Sequence, residues 1–232
     1  MIATKVGKMA GFEGLSAETI RRGAEASLER LGIERIDLYY AHEDDPDTPL
    51  EETLGAFGEL IADGLIGHAA ASNYSAARLA EAIEVSRAEG LASYVALQPE
   101  YNLLERSDYE GELAAVAERD GLACIPYFAL ARGFLTGKYR RDGVEIQSQR
   151  ASGVRDAYMN DRGFAVLDVL DEIAAAHGSS PATVSLAWLL SQPAVVAPIA
   201  SATSPDQVAE LVACAELELS AAELEALTVA GA

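Results

Sequence analysis

The sequence predicts an α/β protein built on parallel strands, and three observations predict it. Short apolar runs recur along the chain and each closes on polar side chains: residues 2–5 on Lys5, 36–42 on His42, 66–73 on Ser72 and Asn73, 94–98 on Gln98, 123–127 on Tyr127 and 195–201 on Ser201. Helical patterns fill the gaps, so that strand and helix alternate every 26 to 37 residues or so, roughly the size of one strand-plus-helix unit. The runs are rich in branched and aromatic residues and stop at proline, glycine or charge, as buried strands do. In a parallel α/β protein the C-terminal strand ends carry the chemistry, so the six polar ends are expected around one rim.

The run that organises the rest is residues 36–42, Ile-Asp-Leu-Tyr-Tyr-Ala-His, halted at once by Glu43, Asp44, Asp45 and Pro46. Before it, Ser16 caps an amphipathic helix whose apolar face is Ile20, Ala24, Leu28 and Leu31, with Gly32 beyond its end. After it, Thr48, Pro49 and Glu51 supply an N-cap, a first-turn proline and a capping-box glutamate for a helix reaching about residue 63. Ser75 opens a helix to about residue 88, and a further helix is expected over residues 108–120.

Beyond Tyr127 the rhythm changes. A glycine-bearing segment over residues 132–139 leads into a polar stretch, near 140–163, that is expected to be a flexible loop. Helical patterns follow over residues 164–176 and 181–190, then the run ending on Ser201. Ser204 caps a helix to about residue 215, and Ser220 with Glu223 forms the capping box of a final one.

The whole chain, 1–232, is expected to be one domain, since no linker divides it and its length suffices for a sizeable core. No apolar stretch approaches the ~18 residues needed to span a bilayer, and no signal sequence opens the chain, so a soluble cytoplasmic protein without a membrane partner is expected. A formal charge of −20 opposes nucleic acid as a partner. Cys124 and Cys214 have neither metal-ligand nor disulfide-framework spacing and read as buried structural thiols.

Each polar residue also has a plainer reading. Lys5 alone fits an edge-blocking lysine, His42 a satisfied core histidine, and Tyr39 and Tyr40 alternating strand residues. The run from His42 to Asp45 could bind a divalent metal, although no second strand end offers a histidine or carboxylate, and no metal is expected. In this acidic chain Arg132, Lys138, Arg140, Arg141, Arg150 and Arg155 nonetheless cluster, which suits either a lid over a phosphate-bearing ligand or a solvated loop.

Six stretches together resemble the aldo-keto reductase family: residues 2–7 (Ile-Ala-Thr-Lys-Val-Gly), 36–42, 71–74 (Ala-Ser-Asn-Tyr), 98–103 (Gln-Pro-Glu-Tyr-Asn-Leu), 133–139 (Gly-Phe-Leu-Thr-Gly-Lys-Tyr) and 198–205 (Pro-Ile-Ala-Ser-Ala-Thr-Ser-Pro). The resemblance implies a TIM (β/α)8-type barrel and hydride transfer between a nicotinamide cofactor and a small carbonyl or alcohol substrate. It places Lys5 and His42 in the family's catalytic tetrad. Its aspartate and tyrosine belong to a second strand and following loop that have no match here, so the chain is expected to be an incomplete barrel of six parallel strands, lacking the first two. An oligomer or partner is then expected to cover the open edges.

By the same resemblance Ser72, Asn73 and Gln98 would hold the nicotinamide carboxamide and Tyr127 would stack on its ring. Phe128, Ala129, Leu130, Ala131, Arg132 and Gly133 would lie under the pyrophosphate, and Ser201, Ala202, Thr203 and Gln207 at the adenosine end. NADP(H) is the expected cofactor, with NAD(H) its competitor, because no lysine or arginine follows Arg162. An active reductase and a nucleotide-binding protein impaired in turnover both fit an incomplete tetrad.

Overall fold

A computed structural model describes residues 1–141, 143 and 151–232, with the backbone alone at 151 and 152. The described residues gather into two compact units: residues 1–99 with 111–124, and residues 100–110 with 125–232.

The first unit holds a five-stranded parallel sheet, β1 (Ala3–Val6), β4 (Ile36–Ala41), β5 (Ile66–Ser72), β6 (Tyr94–Gln98) and β7 (Ala123–Cys124), paired in that order with β1 and β7 at its edges. Between β1 and β4 come a small antiparallel hairpin, β2 (Lys8–Met9) with β3 (Phe12–Glu13), and helix α1 (Ala17–Leu31). Helices α2 (Leu50–Ala62), α3 (Ala76–Glu89) and α4 (Glu112–Asp120) precede β5, β6 and β7. The predicted alternation of strand and helix therefore holds for five strands.

The sixth expected strand, residues 195–201, does not form. Val195 is buried, but Val196 and Ile199 are 56% and 40% exposed, so the run lacks cover on both faces. Pro198 brings no N–H to a ladder. Ile199 N–H instead donates to the Pro126 carbonyl at 2.9 Å. Pro126 likewise ends β7 at Cys124, short of the expected Tyr127.

Helix α1 shows how the sheet is covered. Ser16 accepts the Thr19 N–H and Gly32 closes the helix in the left-handed region, as predicted. The buried stripe, however, is Ile20, Gly23, Ala24 and Ser27, while Leu31 is exposed. Small residues win that face because a Cβ on Gly23 would stand 2.7 Å from Val6 Cγ2 and 2.8 Å from the Tyr39 hydroxyl. Leucine at the contact would hold helix and sheet apart.

Two other helix starts move. The N-cap of α2 is Pro49, without a side-chain bond, because the Thr48 hydroxyl donates to Asp45 at 2.7 Å. No Thr48–Glu51 capping box forms; Glu52 instead accepts the Ala17 N–H at 2.9 Å. Helix α4 begins at Glu112 behind Gly111 rather than near residue 108.

The second unit is helical: a 3-10 segment (Ala131–Thr136), α5 (Ala151–Tyr158), α6 (Asp161–His177), α7 (Pro181–Leu190), α8 (Pro205–Val212), a 3-10 turn (Ala213–Ala215) carrying the buried Cys214, and α9 (Ala221–Ala230). Helix α5 and the start of α6 replace the later part of the predicted flexible loop, whose residues 142 and 144–150 lie outside the described ones. Helix α7 is buried from Ala182 through Leu189 and packs on α6, so it forms the middle of this unit. Trp188, fully buried, sits 5.7 Å from the Tyr101 ring, lies under the Arg106 guanidinium and donates its indole N–H to Thr228 at 3.1 Å.

A Cβ on Gly163 would fall 1.9 Å from the Tyr158 carbonyl oxygen, a backbone atom that must then move. Gly163→Ala is therefore expected to lower stability by about 1–3 kcal/mol in denaturant titration, through overpacking.

At α9, Ser220 and Glu223 form the predicted capping box. The Ser220 hydroxyl, the Ser220 N–H and His177 together hold the Glu223 carboxyl down at about 2. Since it ionises more readily folded than unfolded, its stabilisation is complete above an unfolded value of roughly 4.3 and is lost as pH falls from there through about 2. Thermal melts of Glu223→Gln and the parent should converge across that window. A gap that stays constant in acid would disprove the linkage.

Candidate active site

On the first unit the predicted strand-end groups do come together. Lys5 pairs in register with Tyr40, and Val6 with Ala41, so His42 follows one step beyond; its N–H donates to the Val6 carbonyl at 2.8 Å. Residues paired across parallel strands share a face, as do alternate residues along one strand. Lys5, Tyr40 and His42 therefore occupy one side of the sheet. The Lys5 ammonium lies 5.7 Å from the Tyr40 ring centroid.

Burial lowers the pKa of Lys5. His42 is also lowered, by burial first, then by the positive charges of Lys5 and Lys8, with Glu43 acting in the opposite sense. Lys8→Met is expected to raise the His42 pKa toward its ordinary value, read from imidazole NMR shifts against pH in a chain with three histidines. An unchanged titration would refute the coupling.

The amides arrive by a less regular route. Ala69 pairs with Tyr94, yet Ala71 pairs with Leu97 and Ser72 with Gln98, so β6 spends one extra residue opposite β5. Tyr94 lies with Tyr39 around the Phe57 ring, at 6.1 and 5.8 Å, on the helix side. In an even strand Gln98 would share that side. The bulge turns it over, and the Gln98 side chain bonds the Tyr40 hydroxyl on the Lys5 side.

The Ser72 hydroxyl donates to the Gln98 carbonyl at 2.8 Å. Asn73 Nδ2 donates to the His42 carbonyl at 2.8 Å and to Ser72 Oγ at 3.1 Å. Asn73 sits at φ 55°, a left-handed conformation that asparagine tolerates better than most residues. Lys5, His42, Ser72, Asn73 and Gln98 thus share the C-terminal end of four adjacent strands.

The acidic run beyond His42 is structural. Glu43 pairs with Lys8 at 2.5 Å, and Asp44 binds Arg78 Nε at 2.9 Å. Burial works against an ionised Asp45, but the Thr48 hydroxyl and the Leu15, Asp47 and Thr48 N–H groups hold its carboxyl below the usual range. Each carboxylate already has its partner, and among the described residues no cluster of His, Cys, Asp and Glu could hold a metal ion. His68 on β5 is exposed.

The second unit carries the remaining predicted residues. Tyr127 bonds the Glu100 side chain and its ring meets Phe128 at 5.1 Å; burial, then Glu100, pushes its phenol up. Phe128, Ala131 and Arg132 hold positive φ values of 51°, 47° and 57°, and Gly133 one of 96°. Ala129 and Ala131 are buried, Leu130 is 9% exposed, and the Arg132 guanidinium lies 4.7 Å over the Phe128 ring and 4.0 Å from Glu100.

The predicted basic cluster is partly spent on ion pairs. Arg140 binds Asp171 through both terminal nitrogens, at 2.5 and 2.9 Å, and Arg141 binds Asp161 at 2.8 Å. Arg150 lies outside the described residues. Ser201, Ala202, Thr203 and Gln207 gather beside the start of α8, where the Gln207 carboxamide oxygen accepts from the Thr203 N–H at 2.7 Å and its hydroxyl at 3.1 Å.

Sequence reasoning missed Tyr40 as the neighbour joining Lys5 to Gln98, and Glu100 as the partner of Tyr127 and Arg132. The pairing of strands holds the first signal; the second lay in the residue two beyond Gln98.

A parallel sheet whose adjacent strand ends carry ammonium, imidazole and amide groups has the frame of an α/β enzyme site. The chain belongs to the aldo/keto reductase family, whose model matches residues 1–231. It is 34% identical over 215 residues to a Schizosaccharomyces pombe protein named "Putative voltage-gated potassium channel subunit beta", covering 90% of this chain and 62% of that protein. It is 30% identical over 202 residues to the Escherichia coli L-glyceraldehyde 3-phosphate reductase, covering 85% and 58%, and 32% identical over 225 residues to the E. coli NADH-specific methylglyoxal reductase, covering 94% and 66%. The chain thus spans about three-fifths of the length of the curated relatives it matches. Among the described residues no helix is long and apolar enough to cross a membrane.

Proposed function

We propose that this chain binds a nicotinamide dinucleotide and a small carbonyl compound, as a reductase-type member of its family. The observation that carries the reading is the gathering of Lys5, His42, Asn73 and Gln98 at four adjacent strand ends, with the β6 bulge aiming Gln98 to that side. On this unit Ser72, Asn73 and Gln98 offer the mixed donors and acceptors that a carboxamide requires. The second unit is read by itself: there Tyr127 would take an aromatic ring and residues 128–133 a phosphate group. Three non-glycine residues held in the left-handed region there suit a ligand-binding segment, where such strain concentrates.

The adenosine end is assigned to Ser201, Ala202, Thr203 and Gln207. With no lysine or arginine after Arg162 and the Gln207 amide already engaged by Thr203, this segment favours NAD(H) over NADP(H). The name of the NADH-specific relative agrees with that preference.

The bound reduced dinucleotide would supply hydride. Lys5 would place a positive charge beside the carbonyl oxygen, and His42, whose pKa burial and the neighbouring lysines lower, would orient that oxygen by hydrogen bonding. A general acid is the weak point. Tyr40 is the phenol beside Lys5, and burial makes it harder to ionise, although its bond to Gln98 works the other way. This favours a second reading, a dinucleotide-binding protein with slow turnover.

Titration with NADH and NADPH, followed by turnover of a generic aromatic aldehyde, separates the two readings. Binding with turnover at an ordinary rate supports the reductase; binding alone supports the second reading. Absence of binding to either dinucleotide sinks both.

A further inference from the structure

In the first unit the loop after β4 and the turn after β5 are bonded to each other at two levels. Asn73 Nδ2 donates to the His42 carbonyl at 2.8 Å, so the residue just past β5 holds the one just past β4. Further along, Arg78 Nε on the first turn of α3 donates to both carboxylate oxygens of Asp44, at 2.9 and 3.1 Å. Arg78 is itself held in place: the Ser75 cap accepts its backbone N–H, and its Nη1 donates to Glu81 at 3.0 Å. Of the three carboxylates after His42, Glu43 and Asp45 bind Lys8 and the Leu15 N–H, in the stretch before α1, while Asp44 is the one bonded to α3. Arg78 and Asp44 are only 21% and 20% exposed, whereas every other ion pair of the first unit, among the described residues, has a partner at least half exposed. Cover spares this pair much of the screening by salt that weakens the others.

We propose, on the dinucleotide and carbonyl reading of this site, that Asp44 and Arg78 are its positioning residues. Their pair keeps the loop that carries His42 and the turn that carries Asn73 at one separation, so that imidazole and carboxamide meet a single ligand together. Both act through the chain: Asp44 sits two residues beyond His42, and Arg78 five beyond Asn73. Without Arg78, Asp44 would face the like charges of Glu43 and Asp45 with no cation opposing them. The loop would then draw back from α3 and pull the His42 carbonyl off the Asn73 amide. Tyr74 stays behind, since it is 4% exposed and its hydroxyl meets that of Tyr94 at 2.9 Å, so the movement falls on the His42 side.

The experiment uses the full chain and reads position before binding. NMR of the free chain follows the His42 ring signals and the exchange with solvent of the Asn73 side-chain amide protons, and calorimetric titration with NADH follows. Arg78→Met is expected to move the ring signals, speed the amide exchange and weaken NADH binding about tenfold, the scale of one or two lost hydrogen bonds. Arg78→Lys keeps the charge without the fork that reaches Asp44 and Glu81 together, so it should fall between the parent and Arg78→Met. Arg87→Met removes an exposed arginine, paired with Asp120, from the last turn of the same helix and should change none of the three.

Asp44→Asn combined with Arg78→Met should be no worse than Arg78→Met alone, because the two partners of one bond are lost only once. A folded Arg78→Met chain whose His42 signals, Asn73 exchange and NADH affinity all match the parent would overturn the proposal, even if it melts earlier. Additive losses in the double variant would overturn it too. Should Arg78→Met fail to fold, Arg78→Lys and Asp44→Asn make the same comparison. A parent chain that binds neither NADH nor NADPH sinks the reading of the site, whereas the hold of the pair on His42 and Asn73 is still decided by NMR of the free chain.

Discussion

Trp188→Ala is expected to cost about 3–5 kcal/mol, the usual toll of deleting a fully buried large aromatic. The loss has several sources. The indole is wholly covered, fills the space against Tyr101, lies beneath Arg106 and donates to Thr228. Removing it leaves a void in the middle of the second unit, an unpaired Thr228 hydroxyl and an arginine stem without its platform. Since a domain typically holds only about 5–15 kcal/mol in reserve, the variant should unfold at a much lower urea midpoint. Far-UV circular dichroism measures this, since the variant has no tryptophan left to report by fluorescence. Trp188→Phe should recover part of the loss. A midpoint within experimental error of the parent would show that this cluster does not hold the unit together.

The second large effect is expected at Asn73. Its side chain donates to the His42 carbonyl and to Ser72 Oγ, while its backbone sits at φ 55°. These two roles can be separated. Asn73→Gly keeps a backbone free to adopt that conformation and removes the amide, so dinucleotide affinity should fall by about tenfold with the fold retained, the scale of one or two lost hydrogen bonds. Asn73→Ala removes the same amide and places a β-carbon in the left-handed region, adding about 1 kcal/mol of destabilisation. Calorimetric titration of the glycine variant with NADH checks the first effect, and the difference in melting between the two variants checks the second. Unchanged affinity in a folded Asn73→Gly protein would remove Asn73 from the proposed site.

Much of this architecture was legible in the residues. Serines before amphipathic runs located the starts of α1, α3, α8 and α9, because a hydroxyl that accepts an N3 N–H is a local device. Apolar runs closing on Lys5, His42, Asn73 and Gln98 located four strands and the end of the sheet where those groups sit. What stayed hidden depends on tertiary partners. Thr48 looked like a cap until Asp45 claimed its hydroxyl. Leu28 and Leu31 looked like the inward face of α1, but the close approach of Val6 and Tyr39 reserves that face for Gly23 and Ser27. Helix α5 was hidden in a polar stretch, although Val154 and Tyr158 are both buried. In residues 195–201, branched side chains suggested a strand, while Pro198 and solvent on Val196 and Ile199 argued the other way.

The surplus residue of β6 also governs how this protein can be compared and altered. Counting by twos from Tyr94 puts Gln98 against the wrong layer, so a transfer of roles that ignores the surplus residue would assign the amide to the hydrophobic side. Conversely, excising either Val95 or Ala96 would remove the bulge and leave Gln98 an odd three steps from Tyr94, still opposite Ser72 and on the side of Tyr40. The parity of the strand together with its bulge, rather than the identity of any one residue, decides which face of the sheet that amide serves.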